Sequence, residues 1–165
     1  MDGGHHGIVG IMNEVHVNVY IHAPRERVFE ALSDHESLLR LEGPLGKVTT
    51  RIVREGSRDR NGLGCRREVS GGLGMRFVEE ITAWEPPSFF EYRIIESSMP
   101  MRHRSGRLEL TARGEGTEVD WTSHFEMTVP FVKGLMGAVS EGFASVLFTT
   151  FLLAAKARIE GKRAA

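Results

Sequence analysis

A glutamate and an arginine in neighbouring strand patterns are the residues best placed to do chemistry in this chain. Glu79 alternates with Phe77 and Ile81, and Arg67 with Cys65 and Val69, so both side chains are expected to point inward. A carboxylate in such a place must be paired, protonated or functional, because burying it alone is expensive. Two readings follow. Arg67 and Glu79 neutralise each other as scaffolding, or they are candidate catalytic residues. In the second case the glutamate moves an enolic proton, or the arginine polarises a carbonyl during an aldol-type ring closure.

Arg102, Arg104 and Glu96 share the inner parity near the expected mouth of a cavity, flanking Met99 and Met101, whose flexible side chains adapt to apolar ligands. His103 and His124 fall on the outer parity of adjacent strands. A two-histidine site there lacks a third ligand, so no metal is expected. No cofactor is expected either: the chain has no Gly-rich phosphate loop, Ser/His/Asp arrangement or CxxC. Its one cysteine, Cys65, excludes an internal disulfide and a cysteine-based metal cage.

The elements that must position these groups are legible from hydrophobic periodicity. Val15, Val17, Val19 and Ile21 alternate with polar residues, which is the signature of a half-buried strand. Pro24 then opens a helix carrying Val28, Phe29 and Leu32. Ser33 and Asp34 end it and cap a second short helix through Leu38, Leu39 and Leu41. Strands are predicted from Val48 to Arg54, Cys65 to Ser70, Met75 to Trp84, Phe89 to Glu96, Gly106 to Ala112 and Thr117 to Val129, separated by Gly, Pro and Asp turns. After Pro130 the period becomes helical, from Phe131 to about Ile159.

The last hairpin fixes its own register. If Ala112 opposes Thr117, then Leu110 faces Val119, Leu108 faces Trp121 and Gly106 faces Ser123, and every apolar residue falls on one face. Phe125 and Met127 join that face, and Tyr92 on the preceding strand comes beside Gly106. Small residues next to a tyrosine point to unfilled space, or Gly106 marks a bulge or bend. On the terminal helix Val132, Met136, Val139, Phe143, Val146, Thr150 and Leu153 form one stripe, interleaved with Gly134, Gly137, Ala138 and Gly142. Close packing or room for a ligand explains the glycines. The helix is apolar nearly all round, so other elements cover it or a second copy of the chain does, which makes a homodimer a candidate assembly.

The bulk numbers bound the function. With 165 residues, 41% hydrophobic and 26% charged, the chain suits one soluble domain, and a net charge of −1 predicts no nucleic-acid partner. Residues 1–12, rich in Gly and His, read as a flexible N-terminal extension, and 13–163 as a single ligand-binding domain. No signal peptide is legible, and the apolar stretch from Val146 to Ala155 is too short to span a bilayer, so a cytoplasmic location is expected.

The opening Val-x-Val-x-Val-x-Ile-x-Ala-Pro-x-x-x-Val-Phe (Val15 to Phe29), the run Ile81-Thr82-Ala83-Trp84-Glu85-Pro86-Pro87, and Gly116-Thr117-Glu118-Val119-Asp120-Trp121 before a long final helix carry a family resemblance. The chain resembles the START-like, or SRPBCC, superfamily, specifically its polyketide cyclase/dehydrase and lipid-transport group. The resemblance implies an α+β helix-grip (Bet v 1-like) fold: a curved seven-stranded antiparallel sheet around the C-terminal helix, with two short helices after the first strand. It also implies a cavity between sheet and helix for a hydrophobic or aromatic small molecule (lipid-, quinone- or polyketide-like). The expected lining residues are Tyr92, Arg104, Gly106, Ser123, Phe125, Met136 and Phe143. A cyclase or dehydratase using that cavity is the alternative, and an Hsp90-activator-like interaction module a third. One stretch departs from the family: Glu36-Ser37-Leu38-Leu39-Arg40-Leu41 lacks the aromatic many relatives carry in the second helix.

Overall fold

The computed structural model describes residues 12–38, 41–43, 46–128 and 133–161, with side chains left out at 37–38, 41–46, 73 and 133–140. The predicted N-terminal extension, apart from residue 12, lies outside these residues.

Strict alternation builds the first strand, β1 (Met12–Ile21), with Val15, Val17 and Ile21 buried. The helix after Pro24, α1 (Arg25–Ser33), buries Val28, Phe29 and Leu32 on one side. The second helix, α2 (His35–Leu38), is shorter than predicted. Leu41 does not continue it but starts a three-residue strand, β2 (Leu41–Gly43), which pairs with β3 (Gly46–Arg54). The remaining strands are β4 (Arg66–Ser70), β5 (Arg76–Glu85), β6 (Phe89–Ser97), β7 (Met101–Arg113) and β8 (Gly116–Met127), and the long helix is α3 (Lys133–Gly161).

All neighbours pair antiparallel in the order β1-β8-β7-β6-β5-β4-β3-β2. The seven predicted strands are therefore present, extended at the edge by short β2. The predicted hairpin register holds throughout: Ala112 opposes Thr117, Leu110 Val119, Leu108 Trp121 and Gly106 Ser123. A slip by one residue would send this whole apolar set to solvent.

One sheet face carries Ile81, Phe90, Leu108, Leu110, Val119, Trp121 and Phe125 into the core, where α1 and α3 meet it. By length and composition Glu141–Gly161 could cross a membrane. Here, however, Phe151, Leu152, Ala155 and Ile159 on that stretch are buried in the core cluster. Arg27 Nη2 donates to the Ile159 carbonyl at 2.8 Å and Lys156 Nζ to the Tyr20 carbonyl at 2.7 Å, tying α3 to α1 and β1.

Which side of α3 faces inward differs from the expectation. Phe143, Val146 and Leu153 are 42%, 67% and 50% exposed, so the described part of the predicted stripe looks outward. Phe148 instead stacks on Trp121, with ring centroids 3.9 Å apart, and Phe151 meets the same indole edge-on. Two aromatic rings on a tryptophan bury more apolar area than the outer stripe could, and that sets the rotation of the helix.

Candidate functional site

Two neighbouring strands place the predicted acid and base on the inner face. Arg67 on β4 pairs in register with Glu79 on β5, and both side chains are buried. Arg67 Nε donates to Glu79 Oε2 at 2.6 Å. The guanidinium also donates through Nη1 to His35 Nδ1, and the guanidinium carbon lies 5.4 Å from the Tyr92 ring centre. His35, at the start of α2, is fully buried, and its Nε2–H donates to the Asn61 carbonyl at 3.1 Å. Because Nδ1 accepts from the guanidinium, the imidazole is neutral. Burial first, and the facing Arg67 charge second, hold its pKa well below the ordinary value.

Beside this pair lies a second polar group, built around Tyr92. The Tyr92 ring lies across Gly106 on β7: a β-carbon added to that glycine would sit 2.1 Å from Tyr92 Cζ. The space inferred beside Gly106 is therefore filled by the tyrosine, and the glycine is there to admit the ring rather than to make a bulge. From that position the hydroxyl reaches β8. Trp121 Nε1–H donates to it at 3.0 Å. Burial pushes the Tyr92 phenol well above its ordinary pKa, so it stays protonated.

His103 completes the cluster, contrary to its predicted outward parity. Its imidazole stacks on Tyr92 at 5.2 Å, and Nε2–H donates to Ser123 Oγ at 3.0 Å. The Ile94 backbone N–H donates to Nδ1 at 3.1 Å, which assigns the tautomer. Burial lowers its pKa to about 4, with the nearby His124 and Arg93 charges acting in the same direction. The reversal comes from a β-bulge: β7 shifts register between His103 and Ser105, making Arg104 the extra residue. Met101 and His103 then face inward, while Arg102 and Arg104 face solvent. Arg104 is a surface group 3.8 Å from Glu126, not a cavity residue. A second shift, between Val78 and Glu79 on β5, leaves Ile95 unpaired on β6 and turns Glu96 outward to Arg76. His124 meets Glu14 on the outer face, so the two histidines lie on opposite faces, and no metal-binding group of acidic, His or Cys side chains occurs among the described residues.

Of the predicted lining residues, Tyr92, Gly106, Ser123 and Phe125 come together on the inner face. Phe143 faces outward, and the Met136 side chain lies outside the described residues. A groove of about 630 Å³ opens at a different place, between α1, the last turns of α3 and the 59–61 turn. Phe29, Trp84, Asn61 and Ile159 border it, and none of the predicted residues does. His35 and His103 were not read from the sequence as pocket residues. His35 sits in a four-residue helix with no periodicity to place it, and His103 is hidden by the bulge.

Comparisons with known proteins agree with this architecture. The family described as polyketide cyclase / dehydrase and lipid transport matches residues 12–160. Among solved structures, the chain is similar to the protein TTHA0849 from Thermus thermophilus, at 24% identity and a TM-score of 0.74, covering 90% of this chain and 98% of that one. It is similar to Ara h 8.0201 at 16% identity and a TM-score of 0.68, covering 92% and 99%. A norcoclaurine synthase from Thalictrum, bound to a transition-state analogue, gives 11% identity and a TM-score of 0.68, covering 95% and 99%. These likenesses establish the helix-grip, Bet v 1-like fold. No curated protein sequence matches the chain.

Proposed function

The chain belongs to the polyketide cyclase/dehydrase and lipid-transport family, and from that premise we propose that it binds a hydrophobic or aromatic small molecule between the sheet and α3. The observation that carries this reading is the buried polar group set into an apolar floor: Arg67, Glu79, Tyr92, Ser123 and His103 beside Phe90, Trp121 and Phe125. Stability does not call for it, because a buried ion pair is no better for a fold than apolar residues of the same volume. A few convergent polar groups among aromatic walls are what a small-molecule site uses to orient its ligand.

The test is titration with the fluorescent apolar probe 8-anilinonaphthalene-1-sulfonate, together with native mass spectrometry of protein purified from its own host. Saturable one-to-one binding and a co-purified small molecule are expected. No saturable binding, with no retained mass, removes the reading.

An enzymatic reading has its own support in Glu79. Only Oε2 is engaged by Arg67, and Oε1 has no hydrogen-bond partner among the described residues. That oxygen is a candidate to take a proton from a polyketide-like substrate held against the floor. Turnover of a linear polyketide surrogate that Glu79→Gln abolishes without loss of binding is the outcome this reading requires.

A further inference from the structure

Helix α3 carries two apolar stripes on opposite sides. The inward one, Phe148, Phe151, Leu152, Ala155 and Ile159, packs into the core. The outward one runs through Phe143, Val146, Thr150, Leu153 and Ala157, all exposed. Its steps alternate three and four residues, which keeps the five within about 80° of one another around the helix axis. In the sequence the same alternation continues back through Val139 and Met136.

Single exposed apolar side chains are ordinary, and Met12, Val53 and Leu63 are of that kind, far apart in the chain. Phe143, Val146 and Leu153 instead share one line of one helix. From Gly142 to Ala155 no residue is charged. Heptad spacing on an exposed line, with no charge beside it, is the pattern of a helix seam that meets another helix.

We infer that this face is an interface between two copies of the chain, whose α3 helices pack antiparallel about a twofold axis. Antiparallel packing sets Phe143 of each copy against Leu153 of the other and Val146 against Thr150. Both pairings are reciprocal, as a twofold axis requires. Parallel packing would oppose Glu160 to Glu160, because that residue takes the next three-residue step after Ala157, and like charges across a seam repel. A lipid surface fits the face less well. Helices that lie on a bilayer border their apolar side with Lys and Arg. This one is bordered by Gly142, Thr149 and Ala154, and Lys156 is held by the Tyr20 carbonyl and Glu160.

Area sets the strength of the pair. With 29 residues in α3, the seam is about 43 Å long and about 10 Å wide, roughly 400 Å² per copy. That is about half of what a stable complex buries on each side. The dimer is therefore weak, with a dissociation constant of about 10–100 μM, and the dilute chain is a monomer.

Sedimentation equilibrium from about 5 μM to about 1 mM brackets that constant and tests the inference. The average mass is expected to rise from 18.4 kDa towards twice that value. Val146→Glu, and Leu153→Gln as a second variant, should hold the monomer mass throughout. Both should keep the melting temperature of the dilute wild type, because these side chains face solvent in the monomer. Phe143→Cys and Leu153→Cys chains, mixed and oxidised, should crosslink to each other and not to themselves; the native Cys65 is buried and stays out of the reaction. A wild-type mass of 18.4 kDa at the highest concentration overturns the inference. If that monomer also cosediments with phosphatidylcholine vesicles and Val146→Glu does not, the face docks on lipid instead. A dimer that survives both substitutions overturns it as well, and self-crosslinking of each cysteine chain overturns the antiparallel arrangement.

Discussion

Tyr92 and Gly106 face one another across β6 and β7, and the tyrosine ring occupies the volume a side chain at 106 would need. The contact explains how a phenol on β6 reaches an indole on β8: it crosses β7 at the one position without a β-carbon.

Gly106→Ala should therefore be disruptive. The added carbon overlaps two ring carbons and the hydroxyl oxygen, so Tyr92 must move and release Trp121. A loss of about 1–3 kcal/mol is expected from overpacking, read by urea denaturation. Tyr92→Ala in the same chain should recover part of it, because the two changes share one contact. Additive losses would reject this account.

Arg67 joins Glu79 to His35, and its removal strands both. Arg67→Met leaves the Glu79 charge buried without a counter-ion and His35 Nδ1 without a donor. The expected cost is on the order of 3–5 kcal/mol, seen in thermal or chemical unfolding. Adding Glu79→Gln to Arg67→Met should reduce that loss. Near-native stability for Arg67→Met, with probe affinity abolished, would instead mark the arginine as a ligand group.

Acid should weaken the fold through two histidines. Burial, helped by Arg67, lowers His35, and burial lowers His103 to about 4. The unfolded chain, with ordinary histidines near 6.5, takes up these protons first. Stability is thus complete above that value and falls as pH drops towards each folded-state value. Glu36, Glu68 and Glu80 are held below their ordinary 4.5 by arginines and add their loss only at lower pH. Between pH 7 and 4.5, His103 alone should account for about 2–3 kcal/mol. Urea melts across that range check it: His103→Gln should flatten the slope, and an unchanged slope would refute the assignment.

The two phenylalanines on α3 make a matched pair. Phe148→Ala removes the ring stacked on Trp121 and should cost about 2–4 kcal/mol. Phe143→Ala, on the exposed side, should stay within about 0.5 kcal/mol. Thermal unfolding of both variants decides whether α3 is oriented as described.

Much of this protein was legible without coordinates. A strand has a period of two, so Val15, Val17 and Ile21 could belong only to one face, and the β7–β8 hairpin could keep its apolar side together in only one register. The same logic brought Arg67 opposite Glu79 and Tyr92 beside Gly106, because neither pair is separated from its pattern by a bulge. Where a bulge intervenes, parity fails. The extra residue at Arg104 exchanged the faces of Arg104 and His103, and the extra Ile95 turned Glu96 outward. A bulge is set by what the neighbouring strand offers across the sheet, and one strand's own sequence does not record it. The rotation of α3 was undecided for a related reason. A helix apolar on every side carries no moment to orient it, and only the Trp121 indole waiting on β8 selected Phe148 and Phe151 over Phe143. His35 entered the site in the same way: its own helix is four residues long, and it was Arg67, 32 residues further along the chain, that gave its imidazole a partner.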